Sequence, residues 1–110
     1  MITVKNIIPR KQAENAQTTQ YTANNCKTVI DKFTVTNTTG STATFSVNLV
    51  ASAGAASASN CVLSAKSIAA GETYNCPELV GQSLEVGGFI STLAGTASAL
   101  TISATGREIT

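Results

Sequence analysis

The stretch TVIDKFTVTNTTGSTATFSVNLV, residues 28–50, decides the fold. It contains two runs, residues 28–36 and 43–50, in which apolar and polar side chains alternate. A period of two is typical of a strand with one buried face. The segment NTTGST between them, residues 37–42, holds the Asn, Gly and Ser residues that favour a turn. The stretch therefore predicts two strands joined as a β-hairpin.

The alternation also predicts which side chains of the two strands face the core. In the first run Val29, Phe33 and Val35 share a face, with Asp31 as the single exception. In the second run the expected inward residues are Phe45, Val47 and Leu49.

The remainder of the chain continues the same pattern in short pieces. We expect further extended segments at 18–23, 61–67, around Tyr74, at 89–93 and at the C-terminus, where Leu100, Ile102 and Ala104 face inward. The small-residue segment ASAGAASAS, residues 51–59, is expected to be a mobile loop. About seven or eight short antiparallel strands indicate an all-β fold, either a single β-sandwich or a jelly-roll-like barrel.

Composition limits the classes of function. The 110 residues suffice for one domain, and seven basic against six acidic residues leave a formal net charge of +1. That balance argues against the broad basic field of a nucleic-acid-binding protein. No apolar stretch approaches the roughly 20 residues of a membrane span, and the N-terminus lacks a secretory signal pattern. We therefore expect a soluble protein made in the cytosol.

The N-terminal segment differs from the rest. Lys5, Arg10 and Lys11 precede the first acid, Glu14, and apolar side chains are interspersed among them. We interpret residues 1–17 as an N-terminal arm and residues 18–110 as the β-sandwich domain. We expect the arm to dock onto a neighbouring protein, and its positive charge leaves phosphate, anionic lipid or an acidic protein surface as possible targets. A solvated terminus, or an arm that folds back over its own domain, is an equally open alternative. The candidate partner-binding residues are Ile2, Val4, Lys5, Ile7, Ile8, Arg10 and Lys11.

Catalytic patterns are missing from the sequence. The chain has no histidine, the commonest general base and metal ligand. Two of Glu72, Glu78 and Glu85 could approach each other as a glycosidase pair does, in a carboxylate-based hydrolase, but dispersed, solvated charges are the favoured interpretation. No phosphate-binding glycine loop or nucleophile elbow occurs. We expect no enzymatic activity, no catalytic residues and no cofactor.

Two further features favour structural interpretations. Three cysteines at 26, 61 and 76, without a CxxC motif, indicate neither a disulfide framework nor a metal site, so we expect buried free thiols. Asn37-Thr38-Thr39 fits a glycosylation sequon, but in a threonine-rich chain without a secretion signal it is better interpreted as turn chemistry.

Residues 28–109 resemble small virion structural proteins of tailed bacteriophages. The similarity lies in the order of DKFTVTNTTGSTATFSVNLVAS, IAAGETY, ELV, LEVGGFI and ALTISATGRE. It implies a β-sandwich in the virion that decorates the capsid as a cement protein, binding the major capsid protein or other virion proteins, often as a trimer. A tail or baseplate component is the alternative, as is a receptor- or carbohydrate-binding module that uses loops 37–42 and 51–60. Neither nucleic acid nor membrane is expected as a partner.

Overall fold

The nine strands of the protein form two antiparallel sheets, as seen in a computed structural model that describes all 110 residues. There is no α-helix, only a single 3-10 turn at Ala58–Asn60. The all-β class and the sandwich of two sheets are thus confirmed, with two strands of only two residues bringing the count to nine. The strands are β1 Ile2–Gln12, β2 Thr18–Thr22, β3 Lys27–Asn37, β4 Ala43–Val50, β5 Cys61–Ile68, β6 Thr73–Tyr74, β7 Ser83–Leu84, β8 Phe89–Ala94 and β9 Leu100–Ile109.

The order of strands places β1 and β2 at sheet edges. The first sheet runs β1-β9-β3-β6, and β7 also pairs with β3. The second sheet runs β2-β8-β4-β5. A single cluster of 23 buried residues lies between the sheets. Leu100, Ile102 and Ala104 of β9 belong to it, as their alternation predicts.

The predicted hairpin of β3 and β4 is wrong, because the two strands lie in different sheets. β3 pairs with β9, whereas β4 pairs with β5 and β8. Each strand has one apolar face, and these faces pack against each other across the core. Asn37 stabilises the crossover, since its side-chain amide donates to the Ile68 carbonyl of the second sheet at 2.9 Å.

The inward face of β3 also differs from the prediction. The register with β9 shifts between Ile30 and Lys32, which places a β-bulge at Asp31. A bulge inserts one extra residue and thereby exchanges the two faces. Ile30 is therefore buried before the bulge and Phe33 after it, while Val29 is only half-buried.

β4 shows a similar change near its end. Phe45 and Val47 are buried as predicted, but Leu49 is half-buried and Val50 is buried instead. The register shifts with β5 add their extra residues to β5, and β4 pairs with β8 in regular register from Phe45 to Val50, so no bulge in β4 accounts for this change. The polar Asn48 is buried there as well.

The segment interpreted as an N-terminal arm forms strand β1 of the first sheet. Residues 2–12 pair with β9 in antiparallel register, from Ile2 opposite Ile109 to Gln12 opposite Thr101. The Met1 amino group donates to the Thr110 carbonyl at 2.6 Å. The segment therefore folds back onto its own domain, which is one of the alternatives that the sequence left open.

Candidate functional site

The three glutamates considered for catalysis bind separate neighbours. Glu72 accepts a hydrogen bond from a backbone N–H of its own turn, and Glu78 accepts one from the Tyr74 hydroxyl at 2.7 Å. Glu85 pairs with Lys27 at 3.4 Å. No group of three or more Cys, Asp or Glu side chains lies close enough together to hold a metal ion.

The three cysteines are free thiols with different exposure. Cys26 and Cys76 are buried, as expected, whereas Cys61 is half-buried. Burial, together with the nearby Glu78 carboxylate, raises the pKa of the Cys76 thiol to about 12. Cys76 therefore stays protonated near neutral pH, which is unlike the lowered pKa of a reactive cysteine.

The Asn37 sequon serves as a turn. The Asn37 side chain is fully buried, and its carbonyl oxygen accepts from the Thr39 backbone N–H at 2.9 Å. It also accepts from the Thr39 hydroxyl at 2.7 Å, which completes an Asx-type turn. The interpretation as turn chemistry is confirmed.

The predicted partner-binding residues fall into two groups in the structure. Ile7 and Ile8 are 3% and 1% exposed and belong to the core. They are therefore not available to a partner, and the prediction for these two residues needs correction. Ile2 and Val4 are 61% and 77% exposed. The basic members Lys5, Arg10 and Lys11 are exposed too.

Two β-bulges explain why the adjacent Ile7 and Ile8 are both buried. In a regular strand, neighbouring side chains point to opposite faces. The register of β1 with β9 shifts between Lys5 and Ile8, and again between Ile8 and Lys11. Each shift adds one residue to β1 and breaks the alternation. The one sign of these shifts in the sequence is Pro9, which lies between Ile8 and Lys11, since proline within a strand is typical of edge strands and bulges.

The outer edge of β1 has no strand beside it. β1 is the first strand of its sheet and pairs only with β9. Such an edge exposes unpaired backbone N–H and C=O groups that can pair with another chain. Lys5, Pro9, Arg10 and Lys11, together with the bulges, are features that protect edges from unspecific pairing. The first residues, Ile2–Val4, keep a regular register and carry no charge.

These first residues lie in an exposed apolar patch, which we call the β1 patch and define as Met1, Ile2, Val4 and Ile109. Ile2 lies directly opposite Ile109 in the sheet, and Val4 is two residues from Ile2 on the same face. Met1 is 85% exposed and Ile109 is 37% exposed. The β1 patch combines exposed apolar side chains with a free strand edge.

An ion pair and a hydrogen bond border the β1 patch. Lys5 lies 3.4 Å from Glu108, and the Glu108 carboxylate also accepts a hydrogen bond from the Tyr21 hydroxyl. The Tyr21 hydroxyl holds the pKa of Glu108 below its usual value, and Lys5 acts in the same direction. Tyr21 belongs to β2 of the second sheet, so this contact ties the two sheets together beside the exposed edge.

A shallow hollow of about 220 Å³ lies on the outer face of the second sheet. Gln17, Asn48, Ser57 and Cys61 contribute to its lining. The Asn48 amide donates to the Ser57 carbonyl at 2.9 Å and thereby holds the 51–60 loop against the sheet. No aromatic ring lines this hollow.

Comparison of the chain with family models, with curated proteins and with solved structures finds no match. None of the protein's helical segments has the length and the apolar character of a membrane-spanning helix.

Proposed function

We propose that this protein is a non-enzymatic structural protein that binds other protein subunits through the β1 patch and the free edge of β1. The observation that carries the proposal is the exposure of Ile2 and Val4 on an unpaired, regular strand edge. A partner strand adds to such an edge through backbone hydrogen bonds, while its side chains cover the apolar ones. The role needs no catalytic centre.

The free energies involved show that burial of the β1 patch must be combined with backbone hydrogen bonds along the β1 edge for a partner to bind. Full burial of an Ile or Val side chain contributes about 1.5–3 kcal/mol. Association costs about 4–15 kcal/mol in lost translational and rotational freedom. Ile2 and Val4 alone do not offset that cost, so Met1, Ile109 and the backbone hydrogen bonds of an added strand have to contribute.

The place of action that we propose is the virion of a tailed bacteriophage, with the protein decorating the capsid as a cement protein. The support is the resemblance of residues 28–109 to virion proteins, together with an exposed apolar edge suited to assembly. The proposed partners are the major capsid protein or other virion proteins and further copies of this chain, as in a trimer. A tail or baseplate position is the alternative. The number of copies per purified particle separates the two, because a shell contains many more copies than a tail.

The binding test uses the double substitution Ile2→Asp and Val4→Asp. Both side chains are mostly exposed, so the fold should be retained while a buried contact would acquire two charges. We expect loss of co-sedimentation with capsids that lack the protein, and a smaller oligomer in sedimentation velocity. Deletion of residues 1–12 is a poorer test because it removes Ile7 and Ile8 from the core.

The matched control is Val80→Asp. Val80 is 48% exposed and follows the core residue Leu79. It lies between β6 and β7, at the edge of the first sheet that is farthest from β1. This variant should bind and assemble as the wild type does. Unchanged capsid binding and unchanged oligomer size in the β1 double variant would refute the proposed interface.

A receptor- or carbohydrate-binding role is a second candidate because of the hollow beside the 51–60 loop. The Gln17 amide and the Ser57 hydroxyl offer hydrogen bonds to a polar ligand, whereas the Asn48 amide already donates to the Ser57 carbonyl and to the Asn60 side-chain oxygen. A glycan array tests this role, with Gln17→Ala as the variant, since Gln17 is exposed and Asn48 is needed to hold the loop. A glycan that binds the wild type and not the variant supports it, and an array without binding removes it.

A further inference from the structure

Three of the seven basic residues, Arg10, Lys32 and Lys66, form no ion pair. All six acidic side chains are engaged in ion pairs or hydrogen bonds elsewhere. Lys66 lies 4.9 Å from the centre of the Tyr74 ring, whereas Arg10 and Lys32 have no contact of that kind. The other four basic side chains, Lys5, Lys11, Lys27 and Arg107, form the ion pairs.

Arg10 and Lys32 lie on opposite walls of one hollow. It occupies the outer face of the first sheet and has a volume of about 230 Å³. β1 supplies one wall and β3 the other, with β9 between them as the floor. The polar lining residues are Asn6, Arg10, Lys32, Thr34, Ser103 and Thr105.

The bulges of β1 and β3 occur at the level of this hollow. Ala104 of the floor pairs with Ile8 on one side and with Phe33 on the other. The register of β1 shifts on both sides of Ile8, and that of β3 shifts between Ile30 and Lys32. Bulges bend a strand and re-aim its side chains, and they are over-represented next to functional sites. Both walls of the hollow therefore contain a bulge at the level where the surface of the sheet is concave.

The groups in the hollow suit a negatively charged ligand. An arginine and a lysine offer charged N–H donors, and the Asn6 amide and the hydroxyls of Thr34 and Ser103 add neutral ones. Asp31, the acid next to Lys32 in the chain, is already bound by Arg107, whose guanidinium Nε lies 3.0 Å and 3.1 Å from its two oxygens. No free carboxylate lines the hollow to compete with an anion.

We propose that this hollow binds a single tetrahedral oxyanion, a phosphate or sulfate group. Cations on opposite walls contact oxygens that point in different directions, and hydroxyls on the floor contact the remaining ones. A tetrahedral anion presents its oxygens in this way, whereas a planar carboxylate presents two oxygens on one side. The site does not depend on whether the β1 patch binds a partner.

The solvent exposure of Arg10 and Lys32 determines how tightly we expect the hollow to bind an anion. Arg10 and Lys32 are exposed, so water and salt screen their charges. We expect a dissociation constant on the order of 1 mM at low ionic strength, rising with added salt. Two uncompensated cations do not supply the many phosphate contacts of a nucleic-acid-binding surface. The ligand is therefore a free or small-molecule anion.

The test is a titration of the full-length protein with inorganic phosphate and with sulfate, followed by two-dimensional amide NMR. We expect saturable shifts in the amides of residues 32–34 and 103–105. Arg10→Gln and Lys32→Gln should each weaken binding about fivefold or more, because each removes a charged contact. The double variant should show no saturation. Lys66→Gln is the matched control and should bind as the wild type does.

Four outcomes would overturn the proposal. One is that sodium chloride at equal ionic strength causes the same shifts, which would indicate screening only. The second is that the double variant still binds phosphate, and the third is that acetate binds as tightly as phosphate. The fourth is that a single-stranded oligonucleotide binds far more tightly than phosphate through the same amides, which would assign the hollow to a nucleic-acid backbone. Saturable binding of phosphate or sulfate that is lost in the double variant supports the site.

Discussion

The rings of Phe33 and Phe45 meet across the core, with centroids 6.2 Å apart and planes inclined by 40°. The two residues belong to consecutive strands, β3 and β4, which lie in opposite sheets. Both side chains are fully buried, and the chain contains only one other phenylalanine. In a core whose other members are mostly aliphatic residues and alanines, Phe33 and Phe45 are the two largest fully buried side chains, and they join the two sheets.

Replacement of Phe33 by alanine should lower the free energy of unfolding by about 3–5 kcal/mol, because the surrounding strands cannot close the resulting cavity. Urea unfolding followed by circular dichroism measures the change. Val80→Ala, at an exposed position, should change it by less than about 0.5 kcal/mol. A cycle of Phe33→Leu and Phe45→Leu should give a coupling of about 0.5–1.5 kcal/mol. If the two substitutions changed the free energy of unfolding additively, the two rings would not interact.

The same pair illustrates what the sequence could and could not predict. Alternation located most strands, because a half-buried strand requires apolar side chains at every second residue. It did not identify the partner of each strand. Phe33 and Phe45 have the same pattern whether their strands pair edge to edge or pack face to face. A turn-like segment of six residues between them suits both arrangements.

Bulges account for most of the other differences. The extra residue at Asp31 exchanged the faces of β3, and two extra residues around Ile8 turned a predicted arm into an edge strand with two buried isoleucines. Bulges depend on contacts with the neighbouring strand, so a single sequence rarely marks them. Ile2 and Val4, two of the candidate partner-binding residues, are exposed in the structure, but their role in binding stays a prediction. The sequence did not reveal the hollow between Arg10 and Lys32, because that hollow brings together three strands that are far apart in sequence.

Asn37 should be among the least replaceable polar residues. Its amide donates to the Ser41 and Ile68 carbonyls at 2.7 Å and 2.9 Å, and the side chain is fully buried. Asn37→Ala should cost at least about 2 kcal/mol of unfolding free energy, because buried carbonyls lose their donors. Thermal or urea unfolding gives the value. Asn24→Ala, at an exposed position, is the control, and an equal effect of both substitutions would contradict the assigned role.

Gly106 should not tolerate a side chain. A Cβ at this position would overlap the Val29 carbonyl oxygen and would lie 3.3 Å from the Ile7 Cδ1 atom. We expect Gly106→Ala to destabilise the protein by about 3 kcal/mol, at the upper end of overpacking costs. Gly40→Ala is the matched control, since a Cβ there meets nothing within 4 Å. That variant should be neutral or more stable by up to about 1 kcal/mol. Similar melting temperatures for the two variants would contradict the close approach of β9 to β3.

The cysteines should differ in reactivity. Cys61 is half-buried, while Cys26 and Cys76 are buried and burial raises the pKa of Cys76 to about 12. A thiol-specific disulfide reagent at mildly alkaline pH should therefore modify one thiol rapidly in the native protein and all three after denaturation. Cys61→Ser should remove the rapid phase. Rapid reaction of a second thiol in that variant would show that the core opens more readily than its packing indicates.

The contact between Tyr21 and Glu108 should make stability depend on pH. The Tyr21 hydroxyl donates to the Glu108 carboxylate and keeps its pKa below the ordinary value of 4.5 in the folded state. A carboxyl with a lowered folded pKa stabilises the protein above the unfolded value, and this stabilisation is lost as the pH falls through the folded pKa. Tyr21→Phe should therefore be less stable than the wild type at neutral pH, and the difference should shrink below pH 4.5. Urea unfolding of both proteins over this pH range measures the difference in their free energies of unfolding.

A Glu108→Gln background provides the control. In that background the loss of unfolding free energy caused by Tyr21→Phe should no longer vary with pH over this range. If this loss varied with pH as much as in the wild-type background, a group other than Glu108 would be responsible.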